Sequence, residues 1–378
     1  CAGARREVPV KLDLLYEIDV PQPWGDLPHP FDQREAEQRA YRDTLEQIRL
    51  ADRVGFHTVW LVEHHFRENR SHCPASEVVL GALSQITERI RLGFGVTLTP
   101  HGFIHPARIA EKVATVDVLS GGRVEWGIGR STPMEQQAFG VDRERSRTEM
   151  FAACETVVRM WEERYYEEHS AFLDFPARMV TPKPVQDPHP PVWMACTSED
   201  SARQAGSRGL GMLSFSPARP LQVTASDIAA YREAAADPTP LTRVTTNKVA
   251  GYTLVHCADS MDAAAANGIW DAVDWWYRGL VEFILKWEWE ALMPEPDQVA
   301  AAFPMMHRPI EEYDDQDMII VGDVDRCIEK MQRYADLGVD QLLCYVQFGA
   351  LPHEAVMRSI ELLGTKVIPA LEAYEPRR

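Results

Sequence analysis

Short apolar runs alternate with helical patterns along most of this chain, and this alternation restricts the fold more than any other feature of the sequence. The run TVWLV (58–62) is apolar on both faces, as a buried strand of a parallel sheet requires. Apolar residues at helical spacing precede it, and Gly55 stands where that helix would end. The candidate strands are residues 10–16, 58–62, 90–98, 123–129, 192–195, 211–215, 247–256 and 340–348.

Eight candidate strands with interleaved helices predict an α/β fold of the (β/α)8 TIM barrel type, with a doubly wound open sheet as the alternative. The rhythm is interrupted at about 131–191 and again at about 257–318. The first interruption includes an expected long helix over about 145–168. We interpret both stretches as insertions in one domain that spans residues 1–378, because the barrel pattern resumes after each of them.

The charge and cysteine content restrict the partners and the compartment. The chain has 57 acidic and 39 basic side chains and a formal net charge of -18, which repels phosphate backbones and anionic membranes. Nucleic acid and membrane are therefore not expected as partners. The seven cysteines lack CxxC pairs or regular spacing, which indicates free thiols in a reducing compartment, so a cytoplasmic location is expected.

Two adjacent histidines, His64 and His65, follow the second candidate strand directly. In a parallel barrel the functional face lies at the carboxyl ends of the strands, so this position favours a functional role. The alternative is a polar pair that merely ends a strand. Zinc binding by HGFIH (101–105) is disfavoured because Gly102 and Pro106 oppose the helix that would align the two rings. We expect no metal site.

Glycines on one face of the third and fourth strands are a second candidate feature: Gly93 and Gly95 in IRLGFGVTL, and Gly127 and Gly129 in VEWGIG. Glycine inside a strand costs stability, so such a cluster favours close approach of a ligand or of another backbone. Tight packing of the barrel explains any one of them equally well. Taken together, the four favour a flat ligand over the barrel mouth.

The stretch TSEDSARQAG (197–206) opens a helix after the fifth candidate strand. A helix N-terminus with free N–H groups can bind a phosphate, helped by the hydroxyls of Ser198 and Ser201 and by an arginine such as Arg130. The alternative needs no ligand, because Thr197 and Asp200 also fit a capping box.

Several of these stretches together resemble the bacterial luciferase-like family of flavin-dependent monooxygenases. The resemblance implies a (β/α)8 barrel, a homodimer, and reduced FMN that a separate flavin reductase delivers. The resembling segments are HTVWLVEHHF (57–66), residues 90–131, QQAFGVDRERSR (136–147), GMLSF (211–215) and residues 338–364.

The same resemblance assigns roles to individual residues. It implies that His64 is the catalytic acid or base beside the flavin, next to Glu63 in the cofactor site. Arg130 matches the arginine that helps to hold the FMN phosphate, and a non-proline cis peptide is expected near Gly95 and Val96. Where luciferases have a reactive cysteine before that arginine, this chain has Gly129. The phosphate-binding turn matches Thr197, Ser198 and Ser201, with Thr197 in place of an acidic residue.

Five tryptophans lie within 20 residues of the second interruption, where the resembling family has a mobile lid. A lid that excludes water protects the reactive flavin, and aromatic density there favours a bulky apolar or aromatic organic substrate. Trp275, Trp276 and Trp287 are the predicted pocket residues, although packing of an extra helical layer would explain each of them.

The sequence thus predicts a monooxygenase that uses reduced FMN and dioxygen on a small organic molecule. Alternatives are a deazaflavin-dependent oxidoreductase on the same barrel, a non-catalytic flavin-binding relative and a metal hydrolase.

Overall fold

Eight parallel strands close into a barrel, in the spatial order β1, β2, β3, β4, β7, β8, β9, β11 and back to β1. The computed structural model describes residues 9–20, 34–67, 70–215, 217, 219–280 and 308–377. The predicted TIM barrel is confirmed, and all eight candidate strands belong to it. The strands are β1 (Lys11–Tyr16), β2 (Thr58–Leu61), β3 (Arg91–Leu98), β4 (Val124–Gly129), β5 (Tyr166–His169), β6 (Asp174–Arg178), β7 (Val192–Cys196), β8 (Gly211–Ser214), β9 (Val249–Cys257), β10 (Ile319–Gly322) and β11 (Gln341–Tyr345).

Helices surround this barrel and connect most of its strands. Gly55 follows the end of α1 with a positive φ, as expected. Pro106 lies at the first position of α3, and left-handed Gly121 follows the end of that helix. The helices are α1 (Arg34–Val54), α2 (Ser76–Ile86), α3 (Pro106–Ser120), α4 (Pro133–Phe139), α5 (Ser146–Glu162), α6 (Glu199–Ser207), α7 (Leu221–Ala234), α8 (Met261–Ala266), α9 (Ile269–Gly279), α10 (Ile310–Asp315), α11 (Val324–Asp336), α12 (His353–Leu362) and α13 (Ile368–Glu372), with a π-helical turn at Leu363–Val367.

The expected helix over 145–168 is shorter in the structure. Helix α5 ends at Glu162, and the chain continues into the antiparallel hairpin β5–β6. The ammonium group of Lys183 donates hydrogen bonds to the carbonyl oxygens of Met160 and Glu163 and so satisfies the end of the helix. This partner lies 20 residues further along the chain, which is why the local pattern overestimates the helix.

Strand β10 was not predicted either. It pairs in parallel with the second half of β9, with Ile319 opposite Leu254 and Gly322 opposite Cys257. It is therefore an additional strand beside the eight of the barrel, and it follows the region interpreted as the second insertion. The single-domain interpretation of residues 1–378 stays a prediction.

The side chains of alternate strand residues form two buried layers. One layer lies between the strands and the surrounding helices. The other lies inside the barrel, where the rings of Trp60 and Trp193 meet edge to face with centroids 5.5 Å apart. Since this inner layer fills the barrel, a ligand has access only at the mouth, where the loops after the strands meet.

Candidate active site

His64 lies just beyond the carboxyl end of β2 and forms a pair with Glu135 of α4. Its ring nitrogen Nδ1 is 3.1 Å from Oε1 of Glu135. The main-chain N–H of His65 donates to the same oxygen at 2.6 Å. The loop after β2 supplies the histidine, and α4, which follows β4, supplies the carboxylate. The pair therefore joins the loops after two strands that have β3 between them.

Glu135 is completely buried, and its second oxygen is also occupied. Oε2 accepts hydrogen bonds from the hydroxyls of Ser131 at 2.6 Å and Thr132 at 2.8 Å. The guanidinium of Arg67 lies 3.7 Å away. Burial acts to raise the pKa of Glu135, but His64, Arg67 and Ser131 outweigh burial and hold this pKa below its usual range. Glu135 is therefore an ionised carboxylate whose two oxygens both have hydrogen-bond partners within the protein. It was missed in the sequence because it lies 71 residues from its partner.

Glu63, the other acidic residue of the EHHF motif, is oriented towards the helix layer. Its Oε2 is 3.5 Å from the ammonium group of Lys112 on α3, and its Oε1 is 3.6 Å from Nε2 of His65. The structure thus brings Glu63 to Lys112 and His65, and brings His64 to Glu135.

The Gly95–Val96 peptide bond is cis, as the resemblance implies. It lies in the second half of β3, where the pairing with β4 shifts in register between Phe94 and Thr97. Both residues of the peptide are partly exposed. The cis peptide therefore lies on the same side of the barrel as the ends of β2 and β4.

The four strand glycines do not leave an open floor, while the expectation of a flat ligand over the barrel mouth stays a prediction. A Cβ atom on Gly93 would lie 2.4 Å from the Trp60 ring, and one on Gly129 would lie 2.3 Å from a methyl group of Val96. A Cβ on Gly127 would lie 2.4 Å from the carbonyl oxygen of Phe94. Neighbouring strands already fill this space, so these glycines serve packing of the barrel wall.

Ser198 is the N-cap of α6, and it forms a reciprocal capping box with Ser201. The box expected from Thr197 and Asp200 is therefore wrong, since Thr197 is exposed and precedes the cap. The hydroxyl of Ser201 accepts from the main-chain N–H groups of Thr197 at 3.1 Å and Ser198 at 3.0 Å. The turn is thus ordered by its own hydrogen bonds.

One arginine, Arg147, links this turn to α5, and a second, Arg130, lies at the N-terminus of α5. Arg130 follows β4 and donates to the hydroxyl of Ser146, the first residue of α5, at 3.2 Å. Arg147, one residue further, pairs with Asp200 in the first turn of α6 at 2.6 Å. Arg147 therefore connects the first turns of α5 and α6, and Arg130 contacts the first residue of α5. Arg147 was not predicted as a site residue, although it ends the QQAFGVDRERSR stretch that carries the resemblance.

His64 and Arg130 belong to the same end of the barrel. The side-chain amide of Gln136 donates to the carbonyl oxygen of Arg130 at 2.7 Å, and the preceding residue, Glu135, binds His64. One short segment, residues 130–136, therefore links the histidine to the arginine.

A second buried polar cluster lies across the mouth, after β1, β2 and β11. The guanidinium of Arg70 pairs with Glu17 at 3.1 Å and lies over the ring of Trp276, 4.7 Å from its centroid. The hydroxyl of Tyr345 donates to Asp19. Burial and the nearby Glu17 raise the pKa of Asp19 to about 8, although Arg70 and Tyr345 act in the opposite direction.

The predicted pocket residues have different positions. Trp276 is fully buried in α9 among the aromatic residues of the inner layer, and Trp275 is half-buried. Trp287 lies outside the described residues. The site assignments of His64, Glu63, Gly95, Val96, Arg130, Thr197, Ser198, Ser201, Trp275, Trp276 and Trp287 stay predictions.

The sequence matches one protein-family model over most of its length. That family model describes the luciferase-like monooxygenases, and it matches residues 25–341. This chain belongs to the luciferase-like monooxygenase family. The oxidoreductase assignment follows from that membership.

Relatives of this chain are named for different reactions. A 4-hydroxyprotoasukamycin monooxygenase of Streptomyces nodosus subsp. asukaensis is 29% identical over 345 residues, 87% of this chain and 86% of that protein. An F420-dependent glucose-6-phosphate dehydrogenase of Segniliparus rotundus is 27% identical over 342 residues, 89% of this chain and 96% of that protein.

A further relative is an oxygenase component. The flavin-dependent trigonelline monooxygenase of Acinetobacter baylyi is 30% identical over 179 residues, so the alignment spans 47% of this chain and about half, 49%, of that protein. Among solved structures, monooxygenase RslO1 from Streptomyces bottropensis superposes with a TM-score of 0.77 at 24% identity, over 95% of this chain and 99% of that one. At 24% identity, this superposition shows that the two chains share a fold and nothing further.

Within the described ranges, no group of three or more histidine, cysteine, aspartate or glutamate side chains is arranged to hold a metal ion. No helix in the described part of the chain is both long enough and apolar enough to cross a bilayer. The six cysteines in those ranges are free and buried.

Proposed function

We propose that this protein is the oxygenase component of a two-component monooxygenase, which uses reduced FMN and dioxygen to oxygenate a bulky apolar or aromatic organic substrate. The observation that carries the proposal is the link between His64 and Arg130 through residues 130–136. An acid–base group and an anion-binding end are the two parts that such a cofactor requires, and they lie at one mouth.

The donor set at the ends of α5 and α6 fits a phosphate monoester. Arg130 and Arg147 supply guanidinium groups, and Thr197 and the Ser198–Ser201 box supply hydroxyls at a helix N-terminus. Asp200 opposes an anion, but Arg147 neutralises it at 2.6 Å. These residues would hold the phosphate of FMN, with Gly95 and Val96 towards its ring system. Bound reduced FMN supplies the two electrons that activate dioxygen.

The protein's own groups then orient the reactants, exclude water and move a proton. His64 is the proposed acid–base group because imidazole exchanges protons near neutral pH and its Nδ1 is already held by Glu135. The aromatic cluster of Trp276, Tyr252 and Tyr345 would form a dry wall on the opposite side of the mouth, against which an apolar substrate packs. Trp275 would extend that wall.

Cofactor binding provides the first test. We expect the protein to bind FMN more tightly than riboflavin in a fluorescence titration, because only FMN carries the phosphate that Arg130 and Arg147 would bind. His64→Ala should retain FMN binding, while the yield of oxygenated product per dioxygen consumed falls and hydrogen peroxide release rises. An unchanged yield in this variant would refute the role of His64.

A deazaflavin-dependent oxidoreductase is the second candidate. It is favoured by the alignment with the F420-dependent dehydrogenase, which covers most of both chains. Coenzyme F420 also carries a phosphate, so the anion-binding end fits either cofactor. Parallel titrations with FMN and with F420, followed by reduction of a substrate without dioxygen, distinguish the two functions.

We also propose two protein partners. A separate flavin reductase would deliver reduced FMN, as the name of the Acinetobacter baylyi relative, an oxygenase component, suggests for that system. A second copy of this chain would pack on α2 and α3, where Val78, Val118 and Leu119 are exposed. The expected location of this system is the cytoplasm.

A further inference from the structure

The Glu135 carboxylate restricts the protonation of the His64 ring. An ionised carboxylate only accepts hydrogen bonds, and this one is ionised because its pKa lies below the usual range. Its Oε1 lies 3.1 Å from Nδ1 of His64, within hydrogen-bonding distance. The proton of a neutral His64 must therefore be on Nδ1, which leaves the lone pair on Nε2.

We propose that Glu135 is a positioning residue that fixes His64 as the Nδ1–H tautomer, so that Nε2 is the only ring nitrogen that exchanges a proton at the barrel mouth. The tautomer itself does not depend on the proposed function. Its use in oxygenation does rest on that function.

The neighbours of Glu135 hold the carboxylate in place for this role. Ser131 and Thr132 donate to Oε2, and Arg67 lies 3.7 Å from that oxygen and donates to the Thr132 hydroxyl at 3.1 Å. The His65 N–H bond to Oε1 also fixes the backbone that carries the imidazole. With both oxygens occupied and no solvent exposure, the carboxylate has no other orientation available.

A purely structural role is the rival explanation, since Glu135 also satisfies the His65 N–H and two hydroxyls. Glu135→Gln separates the two roles. The glutamine has nearly the same shape and can still accept from the His65 N–H. Its amide group can also donate, so the Nδ1–H tautomer is no longer imposed on His64.

The first experiment measures the tautomer directly in the protein without added ligands. Nitrogen-15 NMR of histidine-labelled protein distinguishes a protonated from an unprotonated ring nitrogen, and His64→Ala assigns the signals. We expect wild-type His64 to show a protonated Nδ1 and an unprotonated Nε2. Glu135→Gln should raise the population with a protonated Nε2.

Glu125→Gln is the matched control. Glu125 is equally buried, lies at the start of β4, and binds Arg91 and Trp193 rather than a catalytic histidine. It should leave the His64 signals unchanged. If wild-type His64 carries its proton on Nε2, the inference is overturned, and this outcome needs no variant to fold.

The second experiment tests whether Glu135 acts through His64. Reduced FMN is mixed with each protein in air, and the rate at which flavin absorbance returns is measured. We expect Glu135→Gln to change this rate by about tenfold in the wild-type background and by less than about twofold in the His64→Ala background. Equal effects in both backgrounds would contradict the positioning role.

The two experiments also separate the inference from the proposed function. If reduced FMN neither binds nor reacts, the oxygenase proposal fails, while the NMR result still decides the tautomer. If FMN reacts but wild-type His64 has the other tautomer, only the positioning role of Glu135 fails.

Discussion

Asp19 lies in the buried cluster with Glu17 and Arg70. Protonation of its carboxyl makes the stability of the fold depend on pH. Its pKa is raised to about 8 in the folded chain, from a usual value near 3.8. Between these values the folded chain holds a proton that the unfolded chain has lost, so the contribution of Asp19 to stability falls as the pH rises.

We therefore compare the free energy of unfolding of Asp19→Asn with that of the wild type at pH 5 and at pH 8.5. This difference should shift in favour of the variant by at least about 1 kcal/mol on going to the higher pH. Urea denaturation at the two pH values gives the difference. Asp52→Asn is the control, because the Asp52 carboxylate accepts three main-chain N–H bonds and its pKa is lowered. Its stability difference from the wild type should stay constant over this range, and a constant difference for Asp19→Asn would contradict the prediction.

Gly129 provides a second test at the scale of one residue. A methyl group there would lie 2.3 Å from Val96, so Gly129→Ala should destabilise the fold by about 1–3 kcal/mol. Adding Val96→Ala should restore much of that loss. Thermal unfolding measures both. Gly81→Ala is the control, since Gly81 lies inside α2 with nothing near its Cβ position, and alanine there should stabilise the helix.

Sequence motifs located one half of the His64–Glu135 pair. His64 stands in EHHF, a short pattern at a strand end, and such local patterns can be identified in a sequence. Glu135 lies in STPMEQQ, which has no comparable signal, because its role depends on the approach of two loops 71 residues apart. Likewise, the four strand glycines correctly indicated that other atoms approach the backbone closely. Only the structure shows that these atoms belong to neighbouring strands, among them the side chains of Trp60 and Val96.

At the scale of elements, the N-termini of α5 and α6 form the proposed anion-binding end. We expect Arg130→Met and Arg147→Met each to weaken FMN binding by about tenfold or more and to leave riboflavin binding unchanged, since riboflavin lacks the phosphate. Fluorescence titration of both ligands gives the comparison. Arg203→Met, on the exposed side of α6 in pairs with Glu199 and Glu233, should alter neither. Equal losses for both ligands would argue against a phosphate contact.

The elements that the sequence predicted share one property, a strong local pattern. All eight barrel strands are apolar runs of parallel-sheet type and were located to within a few residues. The β5–β6 hairpin has mainly polar and exposed strands, so its pairing leaves little trace in the sequence. The end of α5 depends on Lys183, a distant partner that local periodicity does not reveal.

At the scale of the whole molecule, α2 and α3 present an exposed apolar surface made of Val78, Val118 and Leu119. We expect a homodimer by light scattering, and Leu119→Glu should shift it towards the monomer because a buried charge opposes association. Val223→Glu is the control, since Val223 is similarly exposed but lies on α7. A monomeric wild type would contradict the prediction.

In the proposed phosphate site, the Ser198–Ser201 box would affect how quickly the cofactor exchanges. Its hydroxyls and amides are already aligned by bonds to one another, so an arriving anion finds a rigid receptor and orders no loop. Under the proposed function, capture of the phosphate would order no further part of this turn, which suits a cofactor that is reloaded on every turnover.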